Sequence, residues 1–409
     1  MVMYPFPPIP NLRHLRMVQV IGRVGGVSGA ARELCTSQPA VTQAVTNLEA
    51  EIGASIFERF ATGSQATPAG KQYLLRIDRV FEILDTAVAQ LLGRSGAPTP
   101  AERLMTSTQL RAFVAASEQG RMAEIAESLA LAPDSLLRSA RSLERALGKP
   151  LFDRTAQGLV PNKAGEFLGR EFRRALREIE LARGEILMAA GESDVLELVI
   201  GTLPMAGAHE LAEATRNFLA AHPTVKVRVM PGEYRSLVAA LANSRIDLLF
   251  GTLRADEPGS GVERETLFSD GYCLIARPGH PLTQQEVVTP EDMARYPWVV
   301  PTVGTPRRER IEALFNGVPQ RPRFRLETSS VSLSRALVLD SDTVTIMGGR
   351  EVQRDVDQGL IARLPCPALD DVLLKGVTTN KGWLPTQAHV AFLDCLRAIT
   401  SREAAQPAG

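Results

Sequence analysis

Five residues near the amino terminus have the chemistry to contact nucleic-acid bases. Gln38, Thr42 and Thr46 recur at every fourth position, so an α-helix would place them on one polar face, with Pro39 and Gln43 beside them. A glutamine amide can hydrogen-bond to N6 and N7 of adenine, and a threonine methyl group can contact the methyl group of thymine. An ordinary solvated helix face is the alternative interpretation of the two glutamines.

The surrounding segments predict the elements that would position this face. Apolar residues at helical spacing predict a helix over residues 15–24, and Gly25-Gly26 ends it. A short helix follows, and Ser37 is placed to cap the helix that carries the polar face. A short helix, a tight turn and a helix with a small polar outer face form the helix-turn-helix plan. The next segment predicts a wing, and a long helix over residues 69–92 closes the unit.

The amino-terminal half contains an internal repeat. Its identical pairs all fall at one offset without a gap, and they include Leu15 and Leu110, Gly25 and Gly120, Leu48 and Leu143, Glu49 and Glu144, Gly53 and Gly148, Phe57 and Phe152, Arg59 and Arg154, and Gly70 and Gly165. We interpret the two segments as copies of one unit, because a constant offset over so many positions is not expected by chance.

The second copy keeps the buried positions but loses the polar face. The residues corresponding to Ser37, Gln38, Pro39, Thr42 and Gln43 are Ala132, Pro133, Asp134, Leu137 and Arg138. Arg138, Arg141 and Arg145 nevertheless leave this helix net positive, so sequence-independent binding to phosphates remains open. The alternative is that the second copy serves in dimerisation and spacing.

The composition of the chain excludes some classes of protein. The 409 residues include 46 basic and 46 acidic side chains, and the net charge of zero argues against a protein that coats nucleic acid without specificity. A local DNA-binding face remains possible. The amino terminus does not resemble a secretory signal, and no apolar stretch approaches the roughly 18 residues of a membrane helix, so we expect a cytoplasmic protein with no membrane partner.

The sequence contains no pattern typical of an enzyme or a metal site. It shows no paired nucleophile and base, no phosphate-binding loop and no metal-ligand spacing, so we expect neither catalysis nor a cofactor. The four cysteines form no C-x-x-C pair: Cys35, Cys273, Cys366 and Cys395. For Cys35 and Cys273, buried structural cysteine is favoured over a redox sensor.

The carboxyl-terminal half has a different sequence pattern. From Val195, β-rich runs such as "VLELVIGTL" and "IDLLFGTL" alternate with helical segments. Strand–helix alternation predicts a parallel α/β domain.

These motifs together resemble the LysR-type transcriptional regulators. The stretch "GAARELCTSQPAVTQAVTNLEAEIGASIFER", with "TPAG" after it, is similar to the winged helix-turn-helix of that family. "SRIDLLFG", "RPGHPL" and "GLIARLP" resemble its effector domain, so the resemblance covers nearly the whole chain.

The resemblance implies a multidomain fold. Two winged helix-turn-helix domains rich in α-helix would precede an α/β effector domain of two subdomains, similar to periplasmic binding proteins. The implied boundaries are 11–92 for the first domain with its linker helix, 93–105 for a Gly/Pro linker, 106–190 for the diverged copy, and 195–401 for the effector domain, with subdomain I at 195–267 plus 366–401 and subdomain II at 268–365. Because the linker helix dimerises in this family, a homodimer or homotetramer is expected.

The resemblance also implies site residues. DNA would be bound by Ser37, Gln38, Pro39, Thr42, Gln43, Thr46, Arg59 and Thr67, with Arg138, Arg141 and Arg145 as candidate auxiliary contacts. Ligands of such sheets bind beyond the carboxyl ends of strands, which nominates Thr202, Pro204, Met205, Thr252, Thr302, Val303, Thr305 and Met347. Their hydroxyls and nearby N–H groups suit a carboxylate or similar anion. The alternative for the threonines is a capping role. For Arg307 and Arg308, a solvated helix start is favoured over contact with the anion.

The expected function is sequence-specific regulation of transcription in response to a small anion. The expected partners are double-stranded DNA and that effector, with RNA polymerase as a further candidate. A small-molecule-binding module with vestigial DNA binding, acting through protein partners, is the alternative. The intact polar face of the first copy favours the regulator.

Overall fold

The computed structural model describes residues 9–60, 63–93, 99–117, 133–155, 158–192, 196–254 and 261–404. The chain divides into two compact units, one containing most residues up to Glu197 and the other most residues from Leu198. The short helix expected in the second copy falls within residues 118–132, outside the described residues. The side chain of Arg59 also lies outside them.

The first copy of the repeat has the predicted order of elements. These are α1 (Leu12–Val24), α2 (Val27–Glu33), α3 (Gln38–Ile52), an antiparallel ribbon of β1 (Phe57–Phe60) and β2 (Gly63–Ala66), and α4 (Pro68–Leu92). The Ser37 side chain caps α3 by accepting a hydrogen bond from the N–H of Ala40 at 3.4 Å. Gly53 ends α3 at a φ of 82°, a left-handed conformation that favours glycine because glycine lacks a Cβ.

The described part of the second copy follows the same order. A short helix, α5 (Ala101–Leu104), precedes it within the segment 93–105 that was expected to be a Gly/Pro linker. The copy itself contains α6 (Ser107–Ser117), α7 (Pro133–Leu147), an antiparallel ribbon of β3 (Phe152–Thr155) and β4 (Gly158–Pro161), and α8 (Lys163–Ala189). Asn162 caps α8 through hydrogen bonds from the N–H groups of Ala164 and Gly165, both at 3.0 Å. The helix that corresponds to α3 is therefore α7, and the helix that corresponds to α4 is α8.

The two copies share local hydrogen bonding. The Glu49 carboxylate accepts bonds of 2.7 and 3.1 Å from the N–H groups of Ile56 and Phe57. Its counterpart Glu144 accepts bonds of the same lengths from the N–H groups seven and eight positions further on. The identities in the repeat thus preserve the exit of the chain from α3 and from α7.

One hydrophobic core joins the two copies. Within the second copy, Phe113 packs edge-on against Phe152 and Phe172, with ring centroids 5.4 and 5.6 Å apart. Buried side chains of both copies belong to the same cluster, among them Leu15, Val18, Phe81, Leu84, Leu143, Leu168, Leu176 and Ile179. Each copy therefore depends on the other to remove its inner face from water.

The second unit alternates strands and helices, as the sequence predicts. Its elements are β5 (Leu196–Thr202), α9 (Ala208–Ala221), β6 (Val225–Pro231), α10 (Tyr234–Ala242), β7 (Leu248–Thr252), β8 (Val262–Asp270), β9 (Tyr272–Ala276), α11 (Pro290–Met293), β10 (Trp298–Val300), α12 (Pro306–Leu314), β11 (Phe324–Glu327), α13 (Val331–Leu339), β12 (Thr345–Gly348), α14 (Gly349–Asp357), β13 (Ala362–Leu364), β14 (Leu373–Asn380) and α15 (Gln387–Ala404). A 3₁₀ turn occupies Pro281–Gln284.

These strands form separate sheets. A five-stranded sheet has the order β6-β5-β7-β14-β8, with β5 parallel to β7 and β14 antiparallel to its neighbours. A second sheet has the order β12-β9-β13, and β10 pairs in parallel with β11. Leu267, the expected crossing point between subdomains, lies inside β8, and the chain passes to the second sheet only at Gly271.

Candidate functional sites

The first candidate site is the polar face of α3. Val41, Ala44 and Leu48 are buried beneath it, so the helix is held with the opposite side outward. The predicted residues on that side are exposed apart from a half-buried Thr42: Ser37, Gln38, Pro39, Gln43 and Thr46. The helix therefore presents side-chain amides and hydroxyls to solvent in the spacing that suits a DNA groove.

Some of these polar groups also bond within the protein. The Gln43 amide donates to the side-chain oxygen of Asn47 at 2.7 Å, and the Thr46 hydroxyl donates to the carbonyl of Thr42 at 3.1 Å. Asn47 is exposed and extends the polar face by one more amide that the sequence analysis did not select. The Thr67 hydroxyl caps α4 by accepting from the N–H of Gly70 at 2.8 Å. That hydroxyl thus has a structural partner already.

A second surface on α7 and β3 is strongly basic. Five cationic side chains line one concavity together with Glu144, and all five are exposed: Arg138, Arg141, Arg145, Lys149 and Arg154. We call these five residues the basic surface. Glu144 is held by the backbone bonds described above, and within the described part of the chain none of the five cations forms an ion pair with a carboxylate. The positive charge of the basic surface is therefore directed to solvent.

The third candidate site is a cavity in the second unit, with a volume of about 390 Å³. The segments that line it follow the carboxyl ends of β5, β7, β10 and β11, where α/β sheets bind ligands. The predicted residues that line it are Pro204, Met205, Thr252, Thr302, Val303 and Thr305. Thr202 and Met347 do not. Thr202 ends β5 just before the lining segment, and Met347 is 1% exposed within a hydrophobic cluster.

Arg307 is the most distinctive group in this cavity. It is 8% exposed, and its guanidinium lies 2.9 Å from the sulfur of Met205, a weak acceptor. Among the described residues no carboxylate lies within ion-pair distance of it. Burial lowers the pKa of the Arg307 guanidinium, because the charged form loses hydration. The expectation that Arg307 begins a solvated helix is therefore wrong.

A second buried cation, Lys375, lies on β14 directly opposite Thr252. It is 2% exposed, donates to the carbonyl oxygen of Met205, and lies 3.8 Å from the Asp270 carboxylate. Burial lowers the pKa of the Lys375 ammonium, and the negative charge of Asp270 opposes that shift. Lys375 thus has a counter-charge, whereas Arg307 has none among the described residues.

The backbone around Met205 is held in an unusual conformation. Met205 has a φ of 58°, in the left-handed region that costs a non-glycine residue about 1 kcal/mol or more. This conformation points the Met205 carbonyl at Lys375 while the Met205 sulfur contacts Arg307. Such strain occurs most often at ligand sites, where surrounding structure maintains it.

Further polar groups complete the cavity wall. Burial raises the pKa of Tyr272 to about 12, so its phenol remains a hydrogen-bond donor at neutral pH. The Thr302 hydroxyl bonds to Ser329 at 3.0 Å, and the Thr305 hydroxyl caps α12 by accepting from the N–H of Arg308. Sequence reasoning did not select several of the lining residues, namely Tyr234, Tyr272, Ser329 and Lys375. They come from separate segments, and no local pattern connects them.

The cysteines differ from expectation at one position. Cys35 is exposed and follows α2 at a φ of 52°, so it is not a buried structural cysteine. Cys273 is half-buried, its thiol donates to the Met347 carbonyl, and burial raises its pKa to about 11. In the described ranges we find neither a group of His, Cys, Asp and Glu arranged to hold a metal nor a helix sufficiently long and apolar to span a bilayer.

Two family descriptions match the chain. The LysR substrate binding domain matches residues 191–400. The description "Bacterial regulatory helix-turn-helix protein, lysR family" matches residues 12–71 and again residues 107–166. The double match agrees with the internal repeat.

Similar proteins extend this result over most of the chain. The chain is 29% identical over 380 residues to the HTH-type transcriptional regulator GalR of Pseudomonas putida. The matched region covers 92% of this chain and 94% of that relative. The chain is 27% identical over 290 residues to the HTH-type transcriptional regulator PcaQ of Agrobacterium fabrum, covering 70% of this chain and 93% of PcaQ. A full-length OxyR variant from Pseudomonas aeruginosa shares the fold, with a TM-score of 0.53, 17% identity, and coverage of 71% of this chain and 97% of that chain. The chain belongs to the LysR family of DNA-binding transcriptional regulators with an effector-binding domain.

Proposed function

We propose that this regulator recognises its DNA site through the polar face of α3 and responds to a small carboxylate bound beside Arg307. The second recognition helix, α7, lacks a polar face of this kind and serves as an auxiliary element. The exposed glutamines of α3 argue against the alternative that DNA binding is vestigial in this protein.

The observation that carries the carboxylate proposal is the burial of Arg307 without a counter-ion among the described residues. A buried cation is costly unless an anion pairs with it. The guanidinium of arginine matches a carboxylate with two parallel hydrogen bonds. The amino terminus of α12, on which Arg307 lies, adds the positive end of a helix dipole. A bound carboxylate supplies the missing negative charge.

The rest of the cavity indicates that the carboxylate has an apolar body. Its volume of about 390 Å³ falls within the usual range of small-molecule sites, roughly 300–1,000 Å³. Leu203, Met205, Tyr234 and Val303 supply apolar surface, and Tyr272 supplies a donor. A compact carboxylic acid with a carbon skeleton fits these features better than an inorganic anion.

Calorimetry on the full-length protein tests this proposal. A panel of aliphatic and aromatic carboxylates is titrated, each alongside its uncharged amide. We expect binding by at least one acid and none by its amide, and a loss of roughly 30-fold or more in affinity with Arg307→Gln, since a charged hydrogen bond contributes about 2 kcal/mol. Arg216→Gln, an exposed arginine in the same unit, is the matched control. Equal binding of acid and amide would overturn the carboxylate assignment.

Selection from a random duplex library tests DNA recognition by α3. Gln38→Ala and Gln43→Ala should each weaken binding to the selected site by about 1–3 kcal/mol and relax the preference for particular bases. Gln90→Ala, an exposed glutamine on α4, should change neither. Unaltered base preference in both α3 variants would contradict the assignment.

A further inference from the structure

The two long helices α4 and α8 pack against each other within one chain. Arg76 is 2% exposed, donates to Glu178 at 2.7 Å, and also contacts Glu185. Arg79 donates to Glu178 at 3.2 Å. Arg76 reaches as far along α8 as Glu185, whereas Arg79, one turn further along α4, contacts the earlier residue Glu178. The two helices therefore run antiparallel. Their buried side chains belong to a single core.

The amino ends of the two copies also meet. The N–H of Leu12 donates to the hydroxyl of Ser107 at 3.1 Å, and that hydroxyl donates to the carbonyl of Pro10 at 2.7 Å. Leu12 and Ser107 are the first residues of the two family matches, so they occupy equivalent positions. In a pairing with two-fold symmetry, equivalent residues touch only near the axis. The contact is the kind that an approximate two-fold axis between the copies would produce, as is the antiparallel packing of α4 and α8.

This arrangement occupies the surface that the resemblance assigned to a second chain. The linker helix was expected to pair with its counterpart in another subunit. Here α4 has a partner in α8 of the same chain, and Arg76 is already neutralised by two carboxylates there. Two recognition helices, α3 and α7, are thus joined through one core without a second subunit.

The two recognition helices differ in the chemistry they present. The positions of Arg138, Arg141, Arg145, Lys149 and Arg154 correspond in the first copy to Gln43, Thr46, Ala50, Ala54 and Arg59. Four neutral positions have thus become cationic. Cations without base-specific partners bind phosphates and contribute affinity rather than sequence preference.

We propose that a single chain is a complete, asymmetric DNA-binding unit for a duplex with two unlike half-sites. The polar face of α3 recognises bases in one half-site. The basic surface of α7 and β3 binds the phosphate backbone of the other half-site with little dependence on its sequence. This inference rests on the proposed recognition of DNA by α3 and adds a partner surface for the second copy.

Isotope-coded cross-linking tests the pairing within one chain. Arg79→Lys places an amine beside Glu178, and a carbodiimide joins such an amine and carboxylate as an amide. Chains with natural and heavy nitrogen are unfolded together, refolded and cross-linked at full length. Pairing within a chain gives only cross-links between equally labelled peptides, whereas pairing between chains gives about half of them mixed. Mixed products, or no cross-link at this pair, would overturn the arrangement.

DNA binding by the full-length protein tests the basic surface. Arg141→Gln with Arg145→Gln should lower the affinity for a selected duplex about 10-fold or more and reduce the slope of log K against log salt by about 2, because each phosphate contact contributes roughly 0.9. Arg103→Gln with Arg183→Gln, two exposed arginines of the same unit, is the matched control. With the Arg141→Gln and Arg145→Gln variant, protection of the duplex against cleavage by hydroxyl radicals should disappear from one half-site only.

The outcomes separate the two proposals. Loss of base preference in the Gln38→Ala and Gln43→Ala variants supports recognition by α3. If that loss is seen but the variant with Arg141→Gln and Arg145→Gln binds DNA like its control, the proposal of an asymmetric DNA-binding unit is wrong and the proposed function stands. If base preference survives the glutamine replacements, the proposed function itself fails.

Discussion

Arg307 occupies a position that helical periodicity assigns to an apolar side chain. It shares the buried face of α12 with Ile311 and Leu314. A charge at such a position lowers stability unless it is paired. Folding alone therefore does not explain the residue, which favours the proposed role of Arg307 in binding a carboxylate.

This conflict between binding and folding predicts a stabilising substitution. Arg307→Met should raise the free energy of unfolding of the ligand-free effector unit by about 1 kcal/mol or more, because an unpaired buried charge is replaced by an apolar chain of similar length. Both tryptophans, Trp298 and Trp383, lie in this unit, so their fluorescence in a urea titration reports on it. Arg216→Met is the surface control. A lower midpoint for Arg307→Met would show that Arg307 has a stabilising role.

Thiol reactivity is a second property decided residue by residue. At pH 8 an alkylating reagent should modify Cys35 first, because Cys35 is exposed while Cys273 remains a protonated thiol with a pKa near 11. Raising the pH toward 11 should increase the labelling of Cys273, because its thiolate fraction then rises. Peptide mass spectrometry measures both rates, and Cys35→Ser identifies the fast site. Faster labelling of Cys273 at pH 8 would contradict this assignment.

At the scale of elements, the pairing of α4 with α8 depends on a charged network inside an apolar seam. Arg76 is buried between two carboxylates that also lie largely out of solvent. Removal of Arg76 leaves Glu185 without this buried cation and leaves Glu178 with Arg79 alone, whereas neutralising both carboxylates as well removes the uncompensated buried charge. The network therefore links the two helix faces that meet.

The single and combined replacements should differ accordingly. Arg76→Met should destabilise the helical unit by about 3 kcal/mol, since Glu185 would lose its buried cation and Glu178 would keep only Arg79. Adding Glu178→Gln and Glu185→Gln should restore most of that loss. Circular dichroism follows the helices, and tryptophan fluorescence should stay unchanged because both tryptophans lie in the other unit. An additive loss in the triple variant would refute a coupled network.

At the scale of the whole molecule, each of the two units has its own buried core. Their ligands differ as well, since DNA binds the helical unit and the effector binds the α/β unit. The neutral total charge thus conceals a local basic surface in the first unit and two buried cations in the second.

Ligands should therefore stabilise the units selectively. A carboxylate at 100 times its Kd should raise the stability reported by tryptophan fluorescence by about 2.7 kcal/mol, because it binds only the folded effector unit. The same concentration of its amide serves as the control. A shift of the same size in an Arg307→Gln protein would show that the ligand binds elsewhere.

The sequence by itself determined the local features of this protein. Residues at helical spacing predicted α1, α3 and α4, and constant-offset identities revealed the repeat, because capping and periodicity depend on near neighbours. The same reasoning placed the polar residues on the outer face of α3. It also selected six residues that line the cavity of the second unit, since loops after strands are recognisable in a chain that alternates strand and helix.

Only the tertiary structure decided which distant groups meet. Arg307 and Lys375 meet at Met205, although they belong to a helix and a strand far apart in the chain. Met347 lies in a suitable segment but packs into the interior, because its strand is covered by other elements. Above all, an amphipathic stripe shows that a helix needs a partner but not which one, so the pairing of α4 with α8 inside one chain follows from three-dimensional packing alone.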